Sequence, residues 1–138
     1  MSELSKLTIA EARDRLRAGD LTALDLTEAC LAEVDAAGAL NAFVHNTPEI
    51  ARTQAKVADA RLQGREEAPA MCGIPLGIKD LFCTRGVPSQ AGSRILEGFL
   101  PEYESTVSQQ LFDAGAVMLG WMIEVYRRHM LAGPGAGR

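Results

Sequence analysis

Lys79 is the side chain of this sequence that is best placed to do chemistry. It lies in residues 73–82, GIPLGIKDLF, an apolar run with turn formers at its start that is typical of a buried strand. A lysine in a water-poor site loses much of the advantage of its charged form, and its neutral amine can then act as a general base. Such a base activates serine in serine–lysine catalytic pairs. The alternative is a lysine at a strand end whose ammonium group reaches solvent.

Partners for Lys79 are not evident from spacing. Asp80 follows it directly, so in a strand the two side chains point to opposite faces and cannot pair. Serines occur downstream, in a Gly- and Pro-rich stretch and at the start of a predicted helix, where a hydroxyl commonly closes a turn or caps the helix. These serines are Ser89, Ser93, Ser105 and Ser108. We therefore expect structural roles for them.

The cysteines and histidines do not form a metal-binding pattern. The chain has three cysteines without C-x-x-C spacing and two histidines. We therefore predict free thiols and no metal site. The residues concerned are Cys30, Cys72, Cys83, His45 and His129.

Length, charge and hydropathy limit the class of protein. The 138 residues, 47% of them hydrophobic, suit one globular domain or a piece of a larger one. A net charge of -4 gives no strong electrostatic case for direct nucleic-acid binding. The longest apolar run, residues 114–123, is much shorter than the ~20 residues of a membrane-spanning helix, and the N-terminus lacks a secretory signal. We expect a cytoplasmic protein without a membrane anchor.

Three amphipathic helices are predicted in the first 64 residues, over 8–19, 22–38 and 47–64. Thr8 and Glu11 form a capping-box pattern at the start of the first helix. A glycine ends each helix, and a proline occupies the first helical position of the third. These helix-start and helix-stop residues predict the number and the order of the helices.

The later chain alternates between strand and helix, which predicts an α/β layered fold. We expect a strand within 73–82, a long loop over 83–103, a helix over 105–114 and a second buried strand over 116–119. Two strands do not complete a covered sheet, so the domain is expected to be incomplete. Because residues 121–123 extend the apolar run, the second strand is expected to form an aggregation-prone edge.

Two motifs in the family's order resemble the amidase signature family. Residues 73–80, GIPLGIKD, resemble its lysine motif, and residues 114–120, AGAVMLG, resemble the helix-to-strand turn that follows. Residues 103–107, YESTV, look most like the branch that forms the A subunit of the aspartyl/glutamyl-tRNA amidotransferase. The resemblance covers about residues 4–120. It implies the N-terminal portion of the amidase-signature fold, in which helices pack on a mixed β-sheet.

The resemblance also implies a reaction. In that family a lysine, a bridging serine and a nucleophilic serine form the catalytic triad, and Lys79 matches the lysine. In the amidotransferase, glutamine supplies ammonia that a partner subunit uses to amidate Glu-tRNA(Gln) or Asp-tRNA(Asn). The implied partners are the B and C subunits and, through the complex, misacylated tRNA. The implied A-subunit chemistry needs no cofactor, whereas ATP and magnesium are expected in the partner subunit.

The resemblance ends at Gly120, where the family continues with Lys and Asn and this chain has Trp121 and Met122. Residues 121–138 hold three basic and one acidic residue and finish in a Gly-rich segment, which predicts a boundary between an amidase-signature part, 1–120, and an unrelated basic tail. Both triad serines are missing from the sequence, so we expect the chain alone to be inactive. The alternatives are the N-terminal part of a stand-alone amidase and a non-catalytic helical module that binds a partner.

Overall fold

The computed structural model describes residues 3–64 and 67–122, and its elements alternate between helix and strand. Short 3₁₀ turns span Leu4–Lys6, before the first helix, and Gly38–Leu40 and Arg94–Leu96, between later elements. In chain order the helices and strands are α1 (Ile9–Ala18), α2 (Ala23–Ala36), β1 (Phe43–Asn46), α3 (Pro48–Gln63), β2 (Pro75–Lys79), α4 (Thr106–Asp113) and β3 (Val117–Met122).

The predicted helix starts of α1 and α2 are confirmed. At α1 the Glu11 carboxylate accepts the Thr8 backbone N–H at 2.8 Å, and the Thr8 hydroxyl accepts the Glu11 N–H at 3.2 Å. At α2 the Thr22 hydroxyl accepts the N–H of Asp25 at 3.0 Å. Each hydroxyl thereby satisfies an N–H that has no partner inside its helix.

One helix boundary differs from the prediction, and one predicted helix start has no side-chain cap. α2 ends at Ala36 because Gly38 already belongs to the following 3₁₀ turn. α3 does begin at Pro48, but the side chain of Thr47 makes no cap. Its hydroxyl instead donates to the carbonyl of Met118 at 3.3 Å, which ties the start of α3 to the sheet.

The sheet has three strands in the order β1-β3-β2, with β2 parallel and β1 antiparallel to β3. β1 was not predicted, because only four residues form it and they do not alternate between buried and exposed. The expectation that the second predicted strand forms an edge is wrong. β3 is the central strand of this sheet, and Trp121, which was expected to lie on that edge, has no exposed surface.

β3 is buried on both faces, as its apolar sequence favours. Val117 and Leu119 belong to a large cluster with α1, α2 and α3, whereas Met118 and Trp121 belong to a smaller one. The smaller cluster also contains Ile78, Val87, Phe82 and Phe112. Trp121 further donates its indole N–H to the carbonyl of Phe82 at 3.4 Å.

Residues 123–138, which contain most of the predicted basic tail, lie outside the described residues. β3 continues to Met122, two residues past the predicted boundary at 120, and that boundary stays a prediction. Within the described ranges, no helix has the length and apolar character needed to cross a membrane.

Candidate functional site

Lys79 is the last residue of β2, and its side chain is half-buried. It pairs in register with Met122 of the parallel strand β3. Its carbonyl accepts the N–H groups of Leu81 at 2.8 Å and Phe82 at 3.0 Å, so the chain turns immediately after the lysine. Lys79 therefore lies at the carboxyl end of a parallel strand pair, where open α/β sheets bind their ligands.

Asp80 anchors the segment that follows the lysine. It is 5% exposed, and its backbone N–H donates to the carbonyl of Met122 at 3.1 Å. Its carboxylate accepts the N–H of Gln90 at 2.9 Å, and its carbonyl accepts the N–H of Ala91 at 2.8 Å. The strand end is thereby attached both to β3 and to the middle of the long loop.

The predicted loop over 83–103 is folded back on itself by backbone hydrogen bonds. The N–H of Gly86 donates to the carbonyl of Pro101 at 2.9 Å, and the N–H of Ser89 donates to Phe99 at 3.1 Å. These bonds give the loop a defined shape beside the carboxyl end of β2.

The four serines downstream of Lys79 occupy turn, cap and buried positions. Ser93 accepts the N–H of Ile95 at 3.2 Å, and Ser105 caps α4 by accepting the N–H of Ser108 at 3.2 Å. The Ser89 hydroxyl is buried and lies 3.5 Å from the carbonyl of Val87. These contacts account for the three hydroxyls as structural groups, as predicted.

Ser108 and Glu104 form a partly buried connection that was not predicted. Ser108 has no exposed surface, and its hydroxyl donates to a carboxylate oxygen of Glu104 at 2.8 Å. The other carboxylate oxygen accepts the backbone N–H of Arg85 at 2.9 Å. Glu104 therefore joins α4 to the loop after Lys79. The sequence feature that could have indicated this contact is the acidic residue directly before the helix-capping serine.

All three cysteines are free thiols, as predicted. Burial raises the pKa values of Cys30 and Cys72, which disfavours the thiolate form of both. The Cys83 thiol lies 3.6 Å from the hydroxyl of Tyr103, and this hydrogen-bonded second acidic group raises the pKa of Tyr103 because two negative charges would otherwise lie side by side. In the part of the chain that the structure describes, no three His, Cys, Asp or Glu side chains gather in a group that could hold a metal ion.

Comparison with known proteins decides the family. The family model described as Amidase matches residues 25–122, which is more than half of the chain and includes both β2 and β3. The chain belongs to the amidase family. This confirms the resemblance drawn from residues 73–80 and 114–120.

The curated relatives point to one branch of the amidase family. The chain is 75% identical over 120 residues to the A subunit of the glutamyl-tRNA(Gln) amidotransferase from Ruegeria pomeroyi, and 76% identical over 120 residues to that from Dinoroseobacter shibae. Each alignment covers 87% of this chain and 24% of the relative. The chain thus spans about a quarter of the length of the curated relatives that it matches.

Solved structures confirm the mixed α/β amidase fold. The chain superposes with a TM-score of 0.81 at 34% identity on a vestigial protein complex that reveals the origins of an s-triazine catabolic enzyme, covering 85% of this chain and 26% of that one. It superposes with a TM-score of 0.78 at 32% identity on the peptide amidase of Stenotrophomonas maltophilia, covering 87% and 25%. The helices and the small mixed sheet therefore correspond to part of a larger amidase-family fold.

Proposed function

We propose that this chain is the N-terminal section of the glutamine-hydrolysing A subunit of a tRNA-dependent amidotransferase. The observation that carries the proposal is its 75% identity over 120 residues to a protein with that name. Its identity to the s-triazine-related protein and to the peptide amidase is 34% and 32%. This difference favours the amidotransferase branch over a stand-alone amidase.

In this proposal Lys79 is the general base. Its neutral amine takes a proton from a bridging serine, which in turn takes the proton of a nucleophilic serine. The nucleophilic oxygen attacks the side-chain carboxamide carbon of glutamine. The C–N bond then breaks as the leaving nitrogen receives, through the bridging serine, the proton that Lys79 had taken, and it departs as ammonia. Water then hydrolyses the acyl-enzyme to glutamate. The position of Lys79 at the carboxyl end of β2, half-buried and followed by a fixed turn, supports this role.

The proposal extends to partners and location. The B and C subunits would receive the ammonia and amidate misacylated tRNA, with ATP and magnesium bound in the partner subunit. Acyl transfer to serine needs no cofactor in this chain. Translation-linked amidation places the complex in the cytoplasm.

A chimeric protein tests the role of Lys79. Residues 1–120 of this chain replace the matching section of the Ruegeria pomeroyi relative, which is co-expressed with its partner subunits. We expect the chimera to release ammonia from glutamine, and Lys79→Ala to lower kcat by about 10³-fold or more, because triad members act as a unit. Lys56→Ala, which changes an exposed lysine of α3, is the matched control and retains full activity. Glutamine hydrolysis that survives Lys79→Ala would contradict the proposal.

The 138-residue chain gives a second test. Both triad serines are expected outside this sequence, so the purified chain should release no ammonia from glutamine above the rate of buffer alone. Ammonia release that depends on Lys79 in the purified chain would show that a serine within it replaces the missing ones.

A further inference from the structure

Asp80 has a buried carboxylate at the end of an apolar strand, where a charged side chain is unfavourable. It is 5% exposed and lies directly after the apolar strand β2. Burying a carboxylate is costly unless hydrogen bonds compensate for the lost water. The compensation at Asp80 includes a bond from the Gln90 N–H to its carboxylate, at 2.9 Å. The unfavourable burial of this carboxylate indicates that Asp80 has a role besides packing.

We propose that Asp80 is a positioning residue for the reaction, holding the lysine-bearing strand end and the loop around Gln90 in one fixed arrangement. The inference rests on the proposed function of Lys79 as the base. It adds that the hydrogen bond between Asp80 and Gln90 is needed for catalysis, although Asp80 does not touch the reacting atoms.

The hydrogen bonds of Asp80 join three segments. Its N–H donates to Met122 of β3 at 3.1 Å, which fixes the peptide unit that links Asp80 to Lys79. Its carboxylate and its carbonyl accept the consecutive N–H groups of Gln90 and Ala91. The loop therefore cannot move away from the strand end without breaking two hydrogen bonds to one residue.

At Ala91 the backbone of the loop adopts an unfavourable conformation that hydrogen bonds must stabilise. Ala91 has a φ of 46° and Gly92 a φ of 67°, so two successive residues are left-handed. Alanine rarely adopts this conformation, because its Cβ crowds the following carbonyl. Residues held in this way persist where the surrounding structure fixes them. The two bonds from residues 90 and 91 to Asp80 provide this restraint.

This arrangement matters for Lys79 because a lysine has a long, flexible side chain. When the peptide after its Cα is fixed, the start of that side chain has one direction relative to β3. A misplacement of the base by about 1 Å costs about 100-fold in rate in well-studied enzymes. The Asp80–Gln90 bond holds the loop against this strand end. Its loss should let the loop and the strand end shift, which lowers kcat and leaves the affinity for glutamine largely unchanged.

The experiment uses the chimeric protein in complex with its partner subunits. Asp80→Ala should lower kcat for glutamine hydrolysis by about 100-fold and change KM by less than about twofold. Asp80→Asn keeps an oxygen that can accept the Gln90 N–H, so it should restore kcat to within about fivefold of the parent chimera. Hydrogen exchange in the peptide that covers residues 87–93, followed by mass spectrometry, should be faster in Asp80→Ala and near the parent rate in Asp80→Asn.

Asp80→Glu keeps the test decisive if Asp80→Ala fails to fold. It preserves the charge but displaces the carboxylate by one methylene, so it should be slower than Asp80→Asn. If Asp80→Asn is as inactive as Asp80→Ala, or if Asp80→Glu matches the parent chimera, charge and not the hydrogen bond matters and the inference is overturned.

The Lys79→Ala chimera separates this inference from the proposed function. Full activity of Asp80→Ala together with an inactive Lys79→Ala overturns the role of Asp80 alone. Activity that survives Lys79→Ala overturns the proposed function itself.

Discussion

The carboxylate of Asp59 on α3 accepts the backbone N–H of Ala23, the first residue of α2, at 2.6 Å. Its second oxygen accepts the N–H of Leu24 at 3.2 Å. The first N–H groups of a helix have no partner within it, and a negative charge there also interacts favourably with the helix dipole. Asp59 therefore caps α2 from a neighbouring helix and fixes the packing of the two helices against each other.

Replacing Asp59 by alanine should destabilise the fold. We expect Asp59→Ala to lower the free energy of unfolding by about 1–3 kcal/mol, because two helix N–H groups lose a charged acceptor. Asp59→Asn should lose less, since its amide oxygen still accepts one of them. Urea denaturation of the 138-residue chain, followed by far-UV circular dichroism, measures both changes.

Asp14→Ala is the matched control, because Asp14 is an exposed aspartate of α1 that pairs with Arg13 on the surface. Exposed pairs of this kind contribute about 0–1 kcal/mol. A loss for Asp59→Ala no larger than that for Asp14→Ala would contradict the interhelical cap.

The capping box of α1 makes a prediction about pH. Hydrogen bonds from Thr8, first from its backbone N–H and then from its hydroxyl, lower the pKa of Glu11. A carboxyl group whose pKa is lowered on folding contributes stability above its unfolded pKa, and this contribution is lost as the pH falls through its folded pKa. Thr8→Ala removes the hydroxyl but keeps the larger backbone contribution. We therefore expect the pKa of Glu11 to rise part of the way towards its ordinary value.

A carboxyl-carbon NMR titration of the parent chain and Thr8→Ala measures this rise. Glu28 is the internal reference, because its pKa is lowered by a hydrogen bond from Arg52 and not by Thr8. An unchanged pKa of Glu11, or an equal change at Glu28, would show that the capping box does not act as described.

The helices were predictable because their signals are local. The Thr8–Glu11 pair, the left-handed Gly19 and Pro48 at the first position of α3 each act within one turn of the chain. β1 has no such signal. Its residues become a strand only because β3, which lies more than 70 residues later, supplies their backbone partners. The same pairing makes β3 central, which a pattern limited to neighbouring residues could not reveal.

At the candidate site, too, the local feature was predictable from the sequence and the long-range contacts were not. Lys79 was found because its motif is continuous in the sequence. The contacts of Asp80 with Gln90 and of Glu104 with Arg85 join residues that lie 10 and 19 positions apart. No local periodicity encodes such pairs, because they depend on the path of the loop over 83–103.

Gly120 makes the pairing of β1 with β3 possible, because it lies opposite Asn46 in the register. A Cβ at this position would collide with the carbonyl of His45 and lie 3.1 Å from the Cα of Asn46. Both neighbours are backbone atoms, so β1 would have to move. We expect Gly120→Ala to lower the free energy of unfolding by about 1–3 kcal/mol, measured by urea denaturation.

Gly38→Ala is the control for this glycine. A Cβ at Gly38 meets no atom within 4 Å, and its backbone is not left-handed. We expect this substitution to be neutral or to stabilise the chain by up to about 1 kcal/mol, because alanine reduces the entropy of the unfolded state. Equal destabilisation by the two substitutions would rule out the collision with β1 as the cause.

Ser105 distinguishes a structural serine from a nucleophile. Its hydroxyl accepts the N–H of Ser108 at the start of α4, so Ser105→Ala should lower the free energy of unfolding of the 138-residue chain by about 0.5–2 kcal/mol. In the chimeric protein the same change should leave kcat for glutamine hydrolysis within about twofold, since losing a cap does not remove a triad member. Ser105→Thr keeps a hydroxyl and should recover most of the stability. A fall in kcat comparable to that of Lys79→Ala, at a temperature where the variant stays folded, would instead place Ser105 in the reaction.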